Sequence, residues 1–257
     1  MAGSTREAIG ALRRSHDELV ELVGKFGPED LRRSSGSKDW TVAQVVSHLG
    51  SASEIGLQTL TSGKADFDAA QGVWGRWNAM SPDEQARNFV AAGERLVEAL
   101  ESLDDEALAN KRIDMGFLPA PIDLRFFVGM RLSEVGLHRW DVDVSFDPEA
   151  QVVPYVVPFL LDILLAFAGH FAKPDGRTGR VAIDTNQPSR NYVLDLSEHG
   201  TTLREGADAE AQTRLTLPAE ALLRLTSGRL GPDHTPASIT VDGELSLDDL
   251  RRAFPGY

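Results

Sequence analysis

Stepping 3, 4, 3, 4, 3 from Leu124 reaches Phe127, Arg131, Glu134, His138 and Asp141, which places four ionisable side chains on one longitudinal stripe of a helix. Apolar residues flank the stripe: Phe126, Val128, Met130, Leu132, Val135, Leu137 and Trp140. A solvated face does not normally carry apolar residues on both sides. The stripe is therefore expected to point into a packed interior, where isolated charges are costly unless paired or metal-bound. Whatever packs against this helix must meet Glu134 and His138 with polar or metal-ligating groups.

The segments before it read as helices. Ile9, Leu12, Leu19, Leu22, Val23 and Phe26 recur at helical spacing, and Gly27-Pro28 supplies a stop. Thr41-Val-Ala-Gln44 fits a capping box, so a second helix should begin near Thr41 and run through His48 to about Leu60. Ser81-Pro-Asp-Glu marks the start of a third, carried by Phe89, Leu96, Val97 and Leu100. The long connection before it, with Arg76 and Asn78 between and beside Trp74 and Trp77, reads as a loop that lines an entrance or packs as an aromatic cluster. The charged-stripe helix, from about Pro121 to Val142, is the fourth. Four helices joined by unequal loops outline a four-helix bundle.

After Phe146-Asp-Pro the pattern changes. Residues 152–171 are mostly apolar, near the ~20 residues that span a bilayer, but Pro154, Pro158, Asp162, Gly169 and His170 interrupt them. A helix starting at Pro158 and buried between two parts of one protein explains the run better. Short runs at 180–185, 192–196, 201–204 and 214–217 look like an antiparallel meander. A helix over 218–226, a strand near Ile239, a turn at Asp242-Gly243 and a last helix over 247–254 complete an α+β domain. The expected division is a helical bundle over 1–147 and a smaller α+β domain over 148–257.

Composition narrows the function. A formal net charge of −13 disfavours nucleic acid and anionic membrane as partners. The absence of cysteine removes disulfides, thiolate ligands and Cys nucleophiles, so any thiol chemistry must borrow its sulfur. The polar N-terminal segment lacks the apolar region of a secretory signal, which makes the cytoplasm the expected location.

In the second helix Val45, His48, Ala52 and Ile55 follow the same helical stepping, so His48 also lies on a stripe able to face the interior. His48, Glu134 and His138 then make a set of two imidazoles and one carboxylate, the type used by catalytic zinc with a fourth position open. The plainer reading is an exposed Glu–His helical pair with an unrelated core histidine. His16, His170, His199 and His234 read as structural or surface residues, and Asp141 as an acceptor for a ligand imidazole.

Trp40-Thr-Val-Ala-Gln-Val-Val-Ser-His48-Leu, with Arg131-Leu-Ser-Glu134-Val-Gly-Leu-His138-Arg-Trp-Asp141-Val much later, resembles the mycothiol-dependent maleylpyruvate isomerase family of the DinB-like superfamily. The segment from Leu222 through Arg229, with Val241-Asp-Gly-Glu and the terminal Ala253-Phe-Pro-Gly, is similar to that family's smaller, sterol-carrier-like C-terminal domain. The resemblance implies a DinB-like four-helix bundle whose positions His48, Glu134 and His138 bind a divalent metal, usually zinc, together with mycothiol as thiol cofactor. It implies a cis-trans isomerase that adds the thiolate to maleylpyruvate, allows rotation and eliminates to fumarylpyruvate, or a related S-transferase acting on a small electrophile. Arg229, just beyond Gly228, and Arg131 are the candidate catalytic cations for an anionic substrate, Arg131 having the alternative of an ion pair with Glu134 or Asp141. The rival reading is a non-enzymatic small-molecule or lipid-binding protein, and a monomer or homodimer suits either.

Overall fold

Thr41 Oγ1 accepts the backbone N–H of Gln44 at 3.3 Å, while Gln44 Oε1 accepts that of Thr41 at 2.8 Å, the reciprocal cap expected from the sequence. Ser81 and Glu84 form the same box at the start of the next long helix. The computed structural model describes residues 3–173, 176–198 and 200–256, so the reading of His199 lies outside the described residues. The chain divides into two compact units, Met1–Asp147 and Pro148–Tyr257.

The first unit contains α1 (Thr5–Val23), α2 (Pro28–Leu31), α3 (Val42–Ser62), α4 (Phe67–Asn78), α5 (Pro82–Glu101), α6 (Asp105–Asn110), a two-residue-per-strand hairpin of β1 (Arg112–Ile113) and β2 (Ile122–Asp123), and α7 (Leu124–Asp143). The long helices α1, α3, α5 and α7 are the bundle: α3 packs on α5 and α7, and α1 packs on α7 and α5. Leu19, Val45, Leu49, Leu100, Leu124 and Leu132 are fully buried between them. The expected loop before α5 is instead the helix α4. Asp66 caps it by accepting from Ala69 N at 3.0 Å, and Ala70, Val73 and Trp77, stepping 3 and 4, form its buried side. Gly72, Gly75 and the exposed Trp74 hide that period in the sequence. Arg76 and Trp77 are engaged structurally, donating to Glu54 Oε1 at 2.5 Å and Oε2 at 3.0 Å.

The second unit opens with α8 (Val157–Phe171), followed by β3 (Gly179–Asn186), β4 (Arg190–Ser197), β5 (Gly200–Glu205), β6 (Thr213–Pro218), α9 (Ala219–Thr226), β7 (Thr240–Gly243) and α10 (Leu247–Ala253). The sheet order is β5-β4-β3-β6-β7. It is not a pure meander: β3 pairs with β6 in parallel, Val181 against Thr213 through Asn186 against Pro218, while the other pairings are antiparallel. Asp242 and Gly243, expected as a turn after the strand, are the last residues of β7 itself. Within this unit α8 packs on β5 and α9, and Leu160, Leu161 and Ala168 face inward while Ala166 and His170 are exposed. No helix among the described residues is long and apolar enough to cross a membrane.

Candidate metal centre

His48 sits on α3 and Glu134 and His138 lie one turn apart on α7, so the packing of α3 on α7 brings the two stripes face to face. His48 Nε2 lies 2.8 Å from Glu134 Oε2, and His138 Nε2 lies 3.7 Å from the same oxygen. The three possible ligand atoms all fall within 4.8 Å of one another. The site is reachable: 44% of the Glu134 side-chain surface remains open, although protein atoms crowd its carboxylate. Burial pushes that carboxyl up, but the His48 hydrogen bond and the charges of His138, His48 and Arg131 outweigh it and hold Glu134 well below the usual carboxylate range.

Asp141, fully buried one turn further along α7, accepts a hydrogen bond from His138 Nδ1 at 2.7 Å. That contact commits Nδ1 to the carboxylate and leaves Nε2 to face His48 and Glu134, the arrangement by which an acid orients a metal-binding imidazole. Trp40 is a further member that the sequence motif contains without revealing its role. Its ring lies near-parallel to His138, 6.0 Å between centroids and 18° between planes, and 5.3 Å from His48. The two imidazoles meet edge-on at 4.7 Å. The loop carrying Trp40 is pinned to α7 by Gly36, whose N–H donates to Asp141 O at 2.8 Å. A Cβ on Gly36 would come within 2.7 Å of Val144 Cγ1 and 3.1 Å of Asp141 Cα, so only glycine permits this approach.

Arg131 stands one turn before Glu134 on the same face; burial pushes its guanidinium down from its ordinary value, opposed by the charge of Glu134. The Asp141 carboxylate, the other acid of the stripe, serves His138. Arg229 belongs to the second unit, where it follows Gly228 (φ 73°) and donates from Nη1 to Ser227 O at 3.3 Å. His16 has partners that sequence spacing did not reveal: Asp17 on its own helix and Glu94 from α5 come within ligand distance of one another and of His16. There Arg13 already occupies Glu94 at 2.7 Å, so a guanidinium supplies the cation. His170 packs edge-on against Phe167, and His234 lies 3.3 Å from Pro148 O.

The donor set at His48, Glu134 and His138 suits a borderline divalent cation such as zinc: two imidazole nitrogens and a carboxylate oxygen converge, and one imidazole is held by a buried acid. The family model of the mycothiol maleylpyruvate isomerase N-terminal domain matches residues 12–143, more than half of the chain and all three of these side chains. No curated protein matches. Among solved structures, a crystal structure of the mycothiol-dependent maleylpyruvate isomerase superposes with a TM-score of 0.66 at 14% identity over 95% of each chain. That of a histidine-to-alanine mutant gives 0.66 at 12%, again over 95% of each. The helical bundle, its inward-facing His48, Glu134 and His138, and the match over residues 12–143 place the chain in the mycothiol maleylpyruvate isomerase family.

Proposed function

We propose that the chain is a divalent-metal- and mycothiol-dependent enzyme whose reaction is the cis-trans isomerisation of maleylpyruvate or a closely related thiol transfer to a small electrophile. The observation that carries this reading is the convergence of His48 Nε2, Glu134 Oε2 and His138 Nε2 in a chain of this family. A divalent cation held there, zinc in the first instance, supplies a Lewis acid that favours the thiolate form of a thiol near neutral pH. The side chains do the rest. Asp141 holds the His138 tautomer, Trp40 packs against both imidazoles, and Glu134 stays ionised. The chain has no sulfur nucleophile of its own, which agrees with an external thiol that adds to the cis double bond and is eliminated after rotation, leaving no net change in thiol. Arg131 and Arg229 are proposed as the cations that meet an anionic substrate.

Metal analysis and turnover test this together. Wild-type protein is expected to hold about one equivalent of zinc, and His138→Ala to lose both the metal and the mycothiol-dependent turnover while keeping its helical circular dichroism. Wild-type protein that takes up no divalent metal would leave the non-enzymatic binder as the better reading. Mass spectrometry of mycothiol incubated with maleylpyruvate and with other electrophiles separates the two reactions: recovered free thiol with fumarylpyruvate marks the isomerase, a stable conjugate the S-transferase. Arg229→Gln is expected to lower turnover with zinc content unchanged.

A further inference from the structure

Arg131 Nε and Nη2 are shut off from solvent, and no described residue accepts a hydrogen bond from either. Buried polar atoms are nearly always paired, and leaving a charged donor unpaired is costly, so folding alone does not account for this side chain. These two atoms form the side-on edge of the guanidinium, whose parallel N–H groups match the two oxygens of one carboxylate. The acid nearest along the stripe does not take that edge: Glu134 Oε2 is given to His48 at 2.8 Å. Across the interface stands Gly56 of α3, where a Cβ would lie 3.6 Å from Arg131 Cδ and 3.8 Å from Nε. Glycine at this position keeps a Cβ of α3 off that edge, between the helices that carry His48 and Glu134.

We propose that the Nε/Nη2 edge of Arg131 is a carboxylate receptor, which holds a carboxylate-bearing small substrate beside His48, Glu134 and His138. This rests on the reading of that centre as the reaction site, and it narrows the electrophile to one with a carboxylate near its reacting carbon. Both atoms are shut off from solvent, so a carboxylate enters by parting the side chains packed over the edge.

Calorimetric titration of malonate tests it, run on metal-free and on zinc-loaded protein. Metal-free wild-type protein is expected to bind malonate, Arg131→Gln to bind it at least tenfold more weakly, and Arg131→Lys, which keeps the charge but not the fork, to fall between them. Gly56→Ala, whose added methyl meets only ordinary van der Waals contacts, is expected to weaken malonate binding with zinc content unchanged, and it keeps the test open if an Arg131 variant fails to fold. Melting of Arg131→Gln at or above the wild-type temperature supports the proposal, since it removes a buried cation whose Nε and Nη2 donors have no acceptor. Malonate binding undiminished in Arg131→Gln, or inorganic phosphate binding as tightly as malonate, overturns it. Failure of the protein to take up zinc sinks the metal reading alone, because the metal-free titration still reports on Arg131.

Discussion

Two side chains outside the candidate ligand set govern His138. Asp141 takes its Nδ1 hydrogen, and Trp40 lies along its ring. An acid on the far nitrogen of a metal-bound imidazole raises ligand basicity and fixes the tautomer, and losing such a partner typically lowers metal affinity by about 10- to 100-fold. Asp141→Asn keeps the shape and removes the charge. It is expected to bind zinc at least about tenfold more weakly in a chelator competition, with the melting temperature of the metal-free protein little changed. Unchanged zinc affinity would show that Asp141 is only a buried helical acceptor. The convergence of His48, Glu134 and His138 was legible in the sequence because each lies on a helical stripe with apolar flanks. Trp40 was not, since it reaches the histidines through a loop whose path depends on a glycine close approach to α7, which no local pattern records.

Among the elements, the α1–α5 contact carries a pH dependence. The His16 imidazole occupies the space where a Cβ on Gly93 would stand, 2.3 Å from its Cε1, and meets Phe89 edge-on at 5.4 Å. Burial lowers its pKa; Asp17 and Glu94 raise it and Arg13 lowers it further, and the net direction is down. A depressed histidine pKa means that the unfolded chain binds more protons, so stability is fully present above the unfolded value of about 6.5 and falls as the pH drops through it. The urea midpoint is expected to decrease from pH 7.5 to pH 5.5, and His16→Gln to flatten that decrease; an identical slope in the variant would place its origin elsewhere. The long helices were readable from their periods and caps. The parallel pairing of β3 with β6 was not, because it joins strands with two others between them in sequence, and strand runs alone carry no record of which neighbour they choose. The helix α4 was missed for a different reason: two glycines and two tryptophans in six residues imitate a loop, and only the 3, 4 spacing of Ala70, Val73 and Trp77 betrays it.

For the whole molecule, the division into Met1–Asp147 and Pro148–Tyr257 puts His48, Glu134, His138, Asp141, Trp40 and Arg131 in one unit and Arg229 in the other. Each unit has its own buried core, Leu19, Leu49 and Leu132 in the first and Val181, Leu215 and Leu222 in the second. A chain ending at Asp147 is therefore expected to fold to a helical protein that still binds one equivalent of zinc, measured by metal analysis after dialysis, but to lack turnover. Loss of zinc binding in that fragment would mean that the first unit is not self-sufficient. The net charge of −13 belongs to the surface of such a molecule, and it does not oppose an anionic substrate if the site itself holds a divalent cation and Arg131.

The contact of the Trp40 ring with His138 and His48 makes the centre optically addressable. The chain has four tryptophans, and Trp40 is in ring contact with both His48 and His138. A paramagnetic divalent ion such as cobalt, bound by those imidazoles, would quench its emission at short range. Fluorescence during cobalt titration then counts filled sites directly, without substrate, and Trp40→Phe provides the dark control.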